Sequence, residues 1–577
     1  MKETIKNLKE VYKYGIEYKI SLILQIIGCI IGILINILIP LLSAKFIVNF
    51  TNSIWEQAVF MGMVILSLRI IDEFKQLLIR KNTQIFRRGT VRNLQMQLGR
   101  EILKLDQKTL DSNTSGTFVQ RLTNDTDKMA AIFTVGMGYL TGVFSNIGAF
   151  IAVLIIDYHM FIYYLSAAII LTYLNIRKTR KYGIKDIEYR KQLDKVSGLT
   201  SELVRGARDI KMLNAKDSFM KELDMNIKIQ SEKNFDMRNV DINYNLIIGI
   251  IKHILEFGAI FLLIGLVNQS IITIALGIAL YSYKDNVMTN LMSKISQLLD
   301  ETKNFNISCT RVFSIVNNKE YKKEVFGRKE LQNIDGNFEF KNVSFSYDTN
   351  LVLDNINFKI NSGETIGFVG KSGSGKTTIF NLLCKMYNVD SGKILIDDTN
   401  INELNEKTIR NNITIISQNP YIFNMSIKEN LKLVKEDLAE EEIYEVCKLV
   451  CLDEYIEKLP NKYDTIVGEG GVNLSGGQKQ RLAIARALIQ KTKIILFDEA
   501  TSALDNETQS KIKQTIDNLK GKYTILIIAH RISTIINCDK IMILTEGKII
   551  ASGSHKELLK TNKEYKKICA TELIDKE

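Results

Sequence analysis

The chain has 577 residues, too many for one hydrophobic core, and its length implies about three or four domain-sized units. An apolar content of 46% and a mean hydropathy of +0.01 average an apolar first half with a charged second half. The net charge of +12 comes from Lys and Arg clustered beside apolar segments, as on the cytoplasmic side of a membrane, which argues against a nucleic-acid partner. Seven cysteines without C-x-x-C spacing argue for reduced thiols and against a disulfide framework or a zinc site; Cys447 and Cys451, four apart on a predicted helix, read as ordinary packing.

Residues 1–19 are amphipathic, with Leu8, Val11, Tyr12 and Ile16 against Lys6, Lys9, Glu10 and Lys13, which predicts a helix on the membrane surface. Ile20 to Leu42 is long enough to cross a bilayer and has Pro40 near its far end, where a kink is expected; it is no cleavable leader, because more such runs follow. They centre on Val59 to Leu68, Ile132 to Ile156, Met160 to Leu174, Leu246 to Val267 and Ile271 to Tyr283, giving six spans. Between them, Arg87 to Lys128 and Arg177 to Arg238 are long and basic, whereas Asp157-Tyr158-His159 and Asn268-Gln269-Ser270 have no Lys or Arg. The basic loops and the N-terminus are therefore cytoplasmic, and Trp55 anchors the outer interface.

Both basic loops have helical periodicity, so the membrane helices should continue into the cytosol, with tips near Leu110 to Arg121 and Ser201 to Leu213 able to touch a second domain. Lys252 and Glu256, four apart beside His253, are either a polar patch on a substrate cavity or an internal ion pair. Arg69, Asp72 and Glu73 are expected past the bilayer. The membrane α-helical domain is thus 20–303, followed by a linker over 304–335 and a soluble α/β domain over 336–577.

The soluble domain opens with strands at Phe338 to Phe340 and Phe345 to Tyr347. After the apolar run Thr365 to Val369 comes Gly370-Lys371-Ser372-Gly373-Ser374-Gly375-Lys376-Thr377, which fits G-x-x-x-x-G-K-[ST] without mismatch, and then the helical run from Thr378 to Leu383. Glycines let successive N–H groups turn around an anion, and the helix start adds a favourable dipole. In such a loop Lys376 reaches the β- and γ-phosphates and Thr377 ligates Mg²⁺. Downstream, Ile413 to Gln418, Ile494 to Glu499 and Ile525 to His530 are apolar strands ending on Gln418, Asp498-Glu499 and His530. Open α/β sheets bind ligands at their carboxyl edge, so one site should collect these groups and the phosphate loop. Leu474-Ser475-Gly476-Gly477-Gln478 precedes a helix, and Ser502 to Asp505 makes a turn.

In this order the octet, LSGGQ, the ILFDE strand end, the glutamine and the histidine resemble an ATP-binding cassette (ABC) half-transporter of the exporter type, across essentially the whole chain. Thr465 to Gly471, Gln418 to Phe423 and Arg121-Leu122-Thr123-Asn124-Asp125 resemble exporter segments as well. The resemblance implies ATP and Mg²⁺ as ligands, Tyr347 stacking on adenine, and nucleotide contacts from the octet, Thr378 and Asp505. Asp498 and Gln418 would hold Mg²⁺ with Thr377; Glu499 would polarise the attacking water, and Lys376 and His530 would face the γ-phosphate. Ser475, Gly476, Gly477 and Gln478 would face ATP on a second chain, so that a homodimer, or a heterodimer with a related chain, completes two sites. The expected activity is ATP-driven export of a drug, lipid or peptide across the cell inner membrane, with the ATPase domain cytoplasmic. Import by an exporter-shaped protein and a regulatory ATPase that moves nothing are the alternatives.

Overall fold

The computed structural model describes residues 2–318, 320–332, 334–468, 471–498, 506–529 and 532–574. They form two compact units: one of residues 1–103 and 115–320, the other of residues 104–114 and 321–577.

The first unit is helical. Lys19–Thr51 runs without a break through Pro40, and Trp55–Ile102 returns antiparallel to it. Tyr158–Arg205 and Lys216–Asn268 make a second long pair, with Met137–Ile156 and Leu291–Val316 packed alongside. Asp157 caps Tyr158–Arg205 by accepting from Met160 N at 2.8 Å, which fixes the sharp turn between neighbouring passes. Small residues let the helices close around Tyr164, whose hydroxyl donates to Leu280 O at 3.1 Å, and Ala149, Ala167 and Ala259 are fully buried there.

A helix of 48 residues such as Trp55–Ile102 is about 72 Å long, more than twice a hydrocarbon core of about 30 Å, so helical extensions beyond the membrane are built in. Among the described residues, four helical segments combine length and apolarity enough to cross a membrane: 2–51, 115–156, 158–205 and 216–268. Trp55–Ile102 and the stretch after Ile274 are not among them, so six spans remain an expectation.

Three local differences from the sequence reading have physical causes. The N-terminal helix Lys2–Gly15 packs part of its apolar face on protein while Ile5 stays exposed: Val11 is fully buried, Asn7 donates to Asn306 Oδ1 at 3.0 Å, and Asn93 donates to Tyr14 O at 2.9 Å. The expected linker is helical as far as Val316, because Phe305, Cys309, Val312 and Ile315 put a buried stripe on one face. Lys252 belongs to a network rather than one pair: its ammonium lies 2.8 Å from Asp285 and 3.5 Å from Glu256, and Glu256 also faces Lys284 at 3.8 Å.

The second unit is α/β. Its strands in chain order are β1 Phe338–Tyr347, β2 Asn350–Ile360, β3 Thr365–Val369, β4 Ser391–Ile396, β5 Thr399–Asn400, β6 Ile413–Ile416, β7 Met425–Ser426, β8 Ile466–Val467, β9 Ile494–Asp498, β10 Thr524–Ile528, β11 Lys540–Thr545 and β12 Lys548–Gly553. An antiparallel sheet, β2-β1-β4-β5, covers one side of the fold, and the main sheet has the order β12-β11-β3-β10-β9-β6. Within the main sheet only β12 is antiparallel. β3 and β10 are fully buried, as expected of central parallel strands written as unbroken apolar runs. Residues 104–114 join this unit by a two-way backbone contact, Asp106 N to Lys322 O at 3.0 Å and Glu324 N to Lys104 O at 2.9 Å.

Candidate functional site at the carboxyl edge of the main sheet

The register aligns the strand ends. Ile528 of β10 pairs with Phe368 of β3 on one side and with Asp498 of β9 on the other, and Ile416 of β6 pairs with Phe497. The loop after Val369, Asp498, Gln418 just past β6 and Ala529 just past β10 therefore share one edge of the sheet. Glu499, Asp505 and His530, the other residues expected here, lie outside the described residues.

The octet turns tightly enough to need its glycines. At Gly370 a Cβ would lie 2.1 Å from Leu544 O, and at Gly375, with φ +102°, it would lie 2.6 Å from the Leu353 side chain. Gly375 then caps Lys376–Leu383, the helix that begins at the loop. Lys376 folds back over the loop, and its ammonium donates to Gly370 O and Lys371 O, both at 2.9 Å. Thr377 Oγ1 donates to Asp498 Oδ1 at 3.3 Å, so the loop and the end of β9 already share one polar contact. Ser374 Oγ is buried and has no hydrogen-bond partner among the described residues.

These observations test the fit of a nucleotide with its metal. A buried hydroxyl without a partner inside an anion-binding loop has unused capacity for a phosphate oxygen. An exposed hydroxyl beside a carboxylate is a hard-oxygen donor set of the kind Mg²⁺ takes. Lys371, Ser372 and Gly373 are exposed at the loop tip, and Thr378 is buried beneath it.

Tyr347 ends β1, and its ring meets Phe345 at 4.8 Å and Tyr387 at 5.1 Å, both edge-on. Asn381, on the helix after the octet, donates to its hydroxyl at 3.4 Å, which ties the tyrosine to the phosphate loop. Sequence reasoning missed Tyr387, which carries no local motif. Its hydroxyl donates to Asp111 Oδ2 at 2.6 Å, and Lys108 pairs with Asp348 at 2.6 Å. Gln107–Ser112, part of the first loop's expected tip, is thereby fastened beside Tyr347, while Ala207–Met212 at the second tip belongs to the helical unit. Burial and the Asp111 carboxylate push the Tyr387 hydroxyl well above the ordinary phenol range.

LSGGQ starts a different helix, Gly476–Gln490. Ser475 accepts from Gln478 N at 3.3 Å and Gln478 Oε1 accepts from Ser475 N at 2.8 Å, a reciprocal cap legible in the sequence as S-x-x-Q. Ser475 and Gly476 are exposed, Gly477 is buried, and among the described residues no hydrogen bond joins this segment to the octet. The helix does touch the sheet edge elsewhere, where Gln480 Nε2 donates to Gln418 O at 3.1 Å.

Two family models match the chain: the ABC transporter transmembrane region over residues 22–292 and the ABC transporter model over residues 353–502. The putative ABC transporter ATP-binding protein exp8 of Streptococcus pneumoniae is 30% identical over 577 residues, 97% of this chain and 96% of that one. The ATP-dependent lipid A-core flippase of Pectobacterium atrosepticum is 31% identical over 82% of each chain. ABC transporter B family member 13 of Arabidopsis thaliana is 43% identical over 263 residues, 45% of this chain, and the match spans only 21% of the plant protein. The chain belongs to the ABC transporter family, as a multi-pass membrane protein in which a transmembrane region and an ATP-binding domain are fused.

Proposed function

We propose that this chain is half of an ATP-driven exporter of the inner membrane, and that two copies, or one copy and a related chain, enclose ATP between their cytoplasmic domains. The observation that carries the reading is the shared sheet edge, which bears the octet, Asp498 and Gln418 in a chain whose LSGGQ helix makes no hydrogen bond to that octet among the described residues. Ser475 and Gly476 are exposed at this helix start, where the helix dipole favours an anion, and a second subunit related by a two-fold axis would supply one.

In this reading Lys376 and the octet N–H groups neutralise the β- and γ-phosphates, and Tyr347 stacks on the adenine. Thr377, Asp498 and Gln418 hold Mg²⁺, which when bound supplies charge neutralisation on the transferring phosphoryl group. Glu499 orients the attacking water and His530 faces the γ-phosphate. Phosphoryl transfer asks little of the protein beyond positioning and electrostatics, which is what these residues offer. Closure of the two domains is passed to the membrane helices through residues 104–114, which are fastened to the ATP-binding unit by Tyr387 and the Lys322 to Glu324 backbone.

The cargo is an amphipathic molecule, a reading supported by the flippase relatives. Inside-out vesicles test direction and activity together. An exporter accumulates a labelled amphiphile in the lumen when Mg-ATP is outside. Depletion of preloaded vesicles would make it an importer, and ATP turnover without flux of any amphiphile would make it a regulatory ATPase.

A further inference from the structure

The helical unit bears an open cleft of about 800 Å³, the size of a small-ligand site. Asn36, Arg69, Glu73, Asn146, Asn290 and Lys294 contribute to its polar lining, from five helical segments. Counting 1.5 Å per residue from the outer helix ends, Arg69 lies about 21 Å in from Trp55, Glu73 about 27 Å, and Asn146 about 15 Å in from Ile156. With Trp55 as the expected outer anchor, these distances are shorter than a hydrocarbon core of about 30 Å, which supports a polar cleft within the bilayer rather than past it.

Charges at that depth are costly unless paired or wet. Asp72 is provided for, by the Lys75 ammonium at 2.5 Å and Gln76 at 2.9 Å. Arg69 and Glu73, one helical turn apart, have no ion-pair or hydrogen-bond partner among the described residues. The Lys294 ammonium donates to Gln297 at 3.3 Å and has further donors to offer. Its stem is held against the opposite wall by Gly142, where a Cβ would meet Lys294 Cγ and Cδ at 3.1 Å, while at Gly138 a Cβ would meet nothing within 4 Å. The cleft thus presents two cations and one carboxylate not committed to each other, surrounded by carboxamides that both donate and accept. No aromatic side chain lines it among the described residues, which removes the usual means of holding a lone organic cation.

We propose that this cleft takes the zwitterionic head of an amphiphile, with its anionic group held by Arg69 and Lys294 and its cationic group by Glu73. Asn36, Asn146 and Asn290 hydrogen-bond the remaining polar atoms of the head. The inference rests on the export reading for its biological meaning, but the site itself can be tested by binding.

The experiment uses the full chain in nanodiscs and three probes of equal chain length: a lysophosphatidylethanolamine, an alkyl phosphate and an alkylamine. Affinity is read from thermal-shift titration, and flux is read separately in inside-out vesicles. The zwitterion should bind about tenfold or more tighter than either single-charge probe, the factor expected from one extra charge-assisted contact. In Glu73→Gln the preference over the alkyl phosphate should vanish, and in Lys294→Gln the preference over the alkylamine should shrink. Equal binding of all three probes to the unaltered protein, or tightest binding of the alkylamine, would overturn the inference without any variant having to fold. Discriminating binding without flux would sink the export reading and leave the site standing. Flux without head-group preference would do the reverse.

Discussion

Replacing Thr377 by Val separates folding from function at the phosphate loop, because valine keeps the shape and removes only Oγ1. The threonine is exposed and its bond to Asp498 is long, at 3.3 Å, so losing it should cost the fold under about 1 kcal/mol. For a domain of this size that is a fall in Tm of only about 2–4 °C. The same oxygen is proposed as a Mg²⁺ ligand, and removing one electrostatic element from a preorganised site lowers turnover by about 100-fold, equivalent to about 2.7 kcal/mol of barrier. The assay is ATP hydrolysis by the purified protein over a Mg²⁺ titration, alongside a thermal melt. Turnover that falls steeply and recovers partly at high Mg²⁺, with a nearly unchanged melt, is the expected pair of results. Turnover within about threefold of the unaltered protein would show that the Thr377 hydroxyl is not a ligand. A large loss of Tm would show that its bond is structural.

Tyr387→Phe should free Gln107–Ser112, because the bond to Asp111 is short but solvent-exposed and so contributes about 1 kcal/mol; hydrogen exchange in that helix should quicken severalfold while exchange in the octet helix stays unchanged. Burial holds the Lys385 amine below its ordinary value of 10.5, so the unfolded chain binds that proton more tightly. Its contribution to stability therefore grows as pH rises toward 10.5, and Lys385→Met should flatten the pH dependence of urea melts over that window. Burial also raises the thiols of Cys384, Cys447 and Cys538 to about 12, so all three should resist iodoacetamide near pH 8 in the folded protein and react on unfolding.

The ATP-binding unit was largely legible because its signals are local. Strands β3, β9 and β10 are unbroken apolar runs, the octet announces its loop by glycine spacing, and Ser475 with Gln478 spells out a helix cap. What stayed hidden depends on contacts between residues far apart in the chain. Nothing near Tyr387 points to Asp111, and nothing near Lys252 points to Asp285, since both pairs are made only by the way distant helices and strands meet. The cleft lined by Arg69 and Glu73 was hidden for a related reason: it exists only where they meet Asn36, Asn146, Asn290 and Lys294, all far away in the chain. The helix Leu291–Val316, which runs into the expected linker, was hidden by its polar face, although Phe305, Cys309, Val312 and Ile315 recur at helical spacing.

The central claim is that each ATP site is built from the octet of one chain and the LSGGQ of another, and trapping of a photoreactive ATP analogue on mixed dimers tests it most directly. Lys376→Ala and Ser475→Arg chains should each be inactive alone. Co-expressed, they should recover roughly a quarter of normal trapping, because half of randomly paired dimers are mixed and each of those holds one intact site of two. If the mixture were as inactive as either variant alone, the two motifs would have to act within one chain, and the proposed sandwich would be wrong.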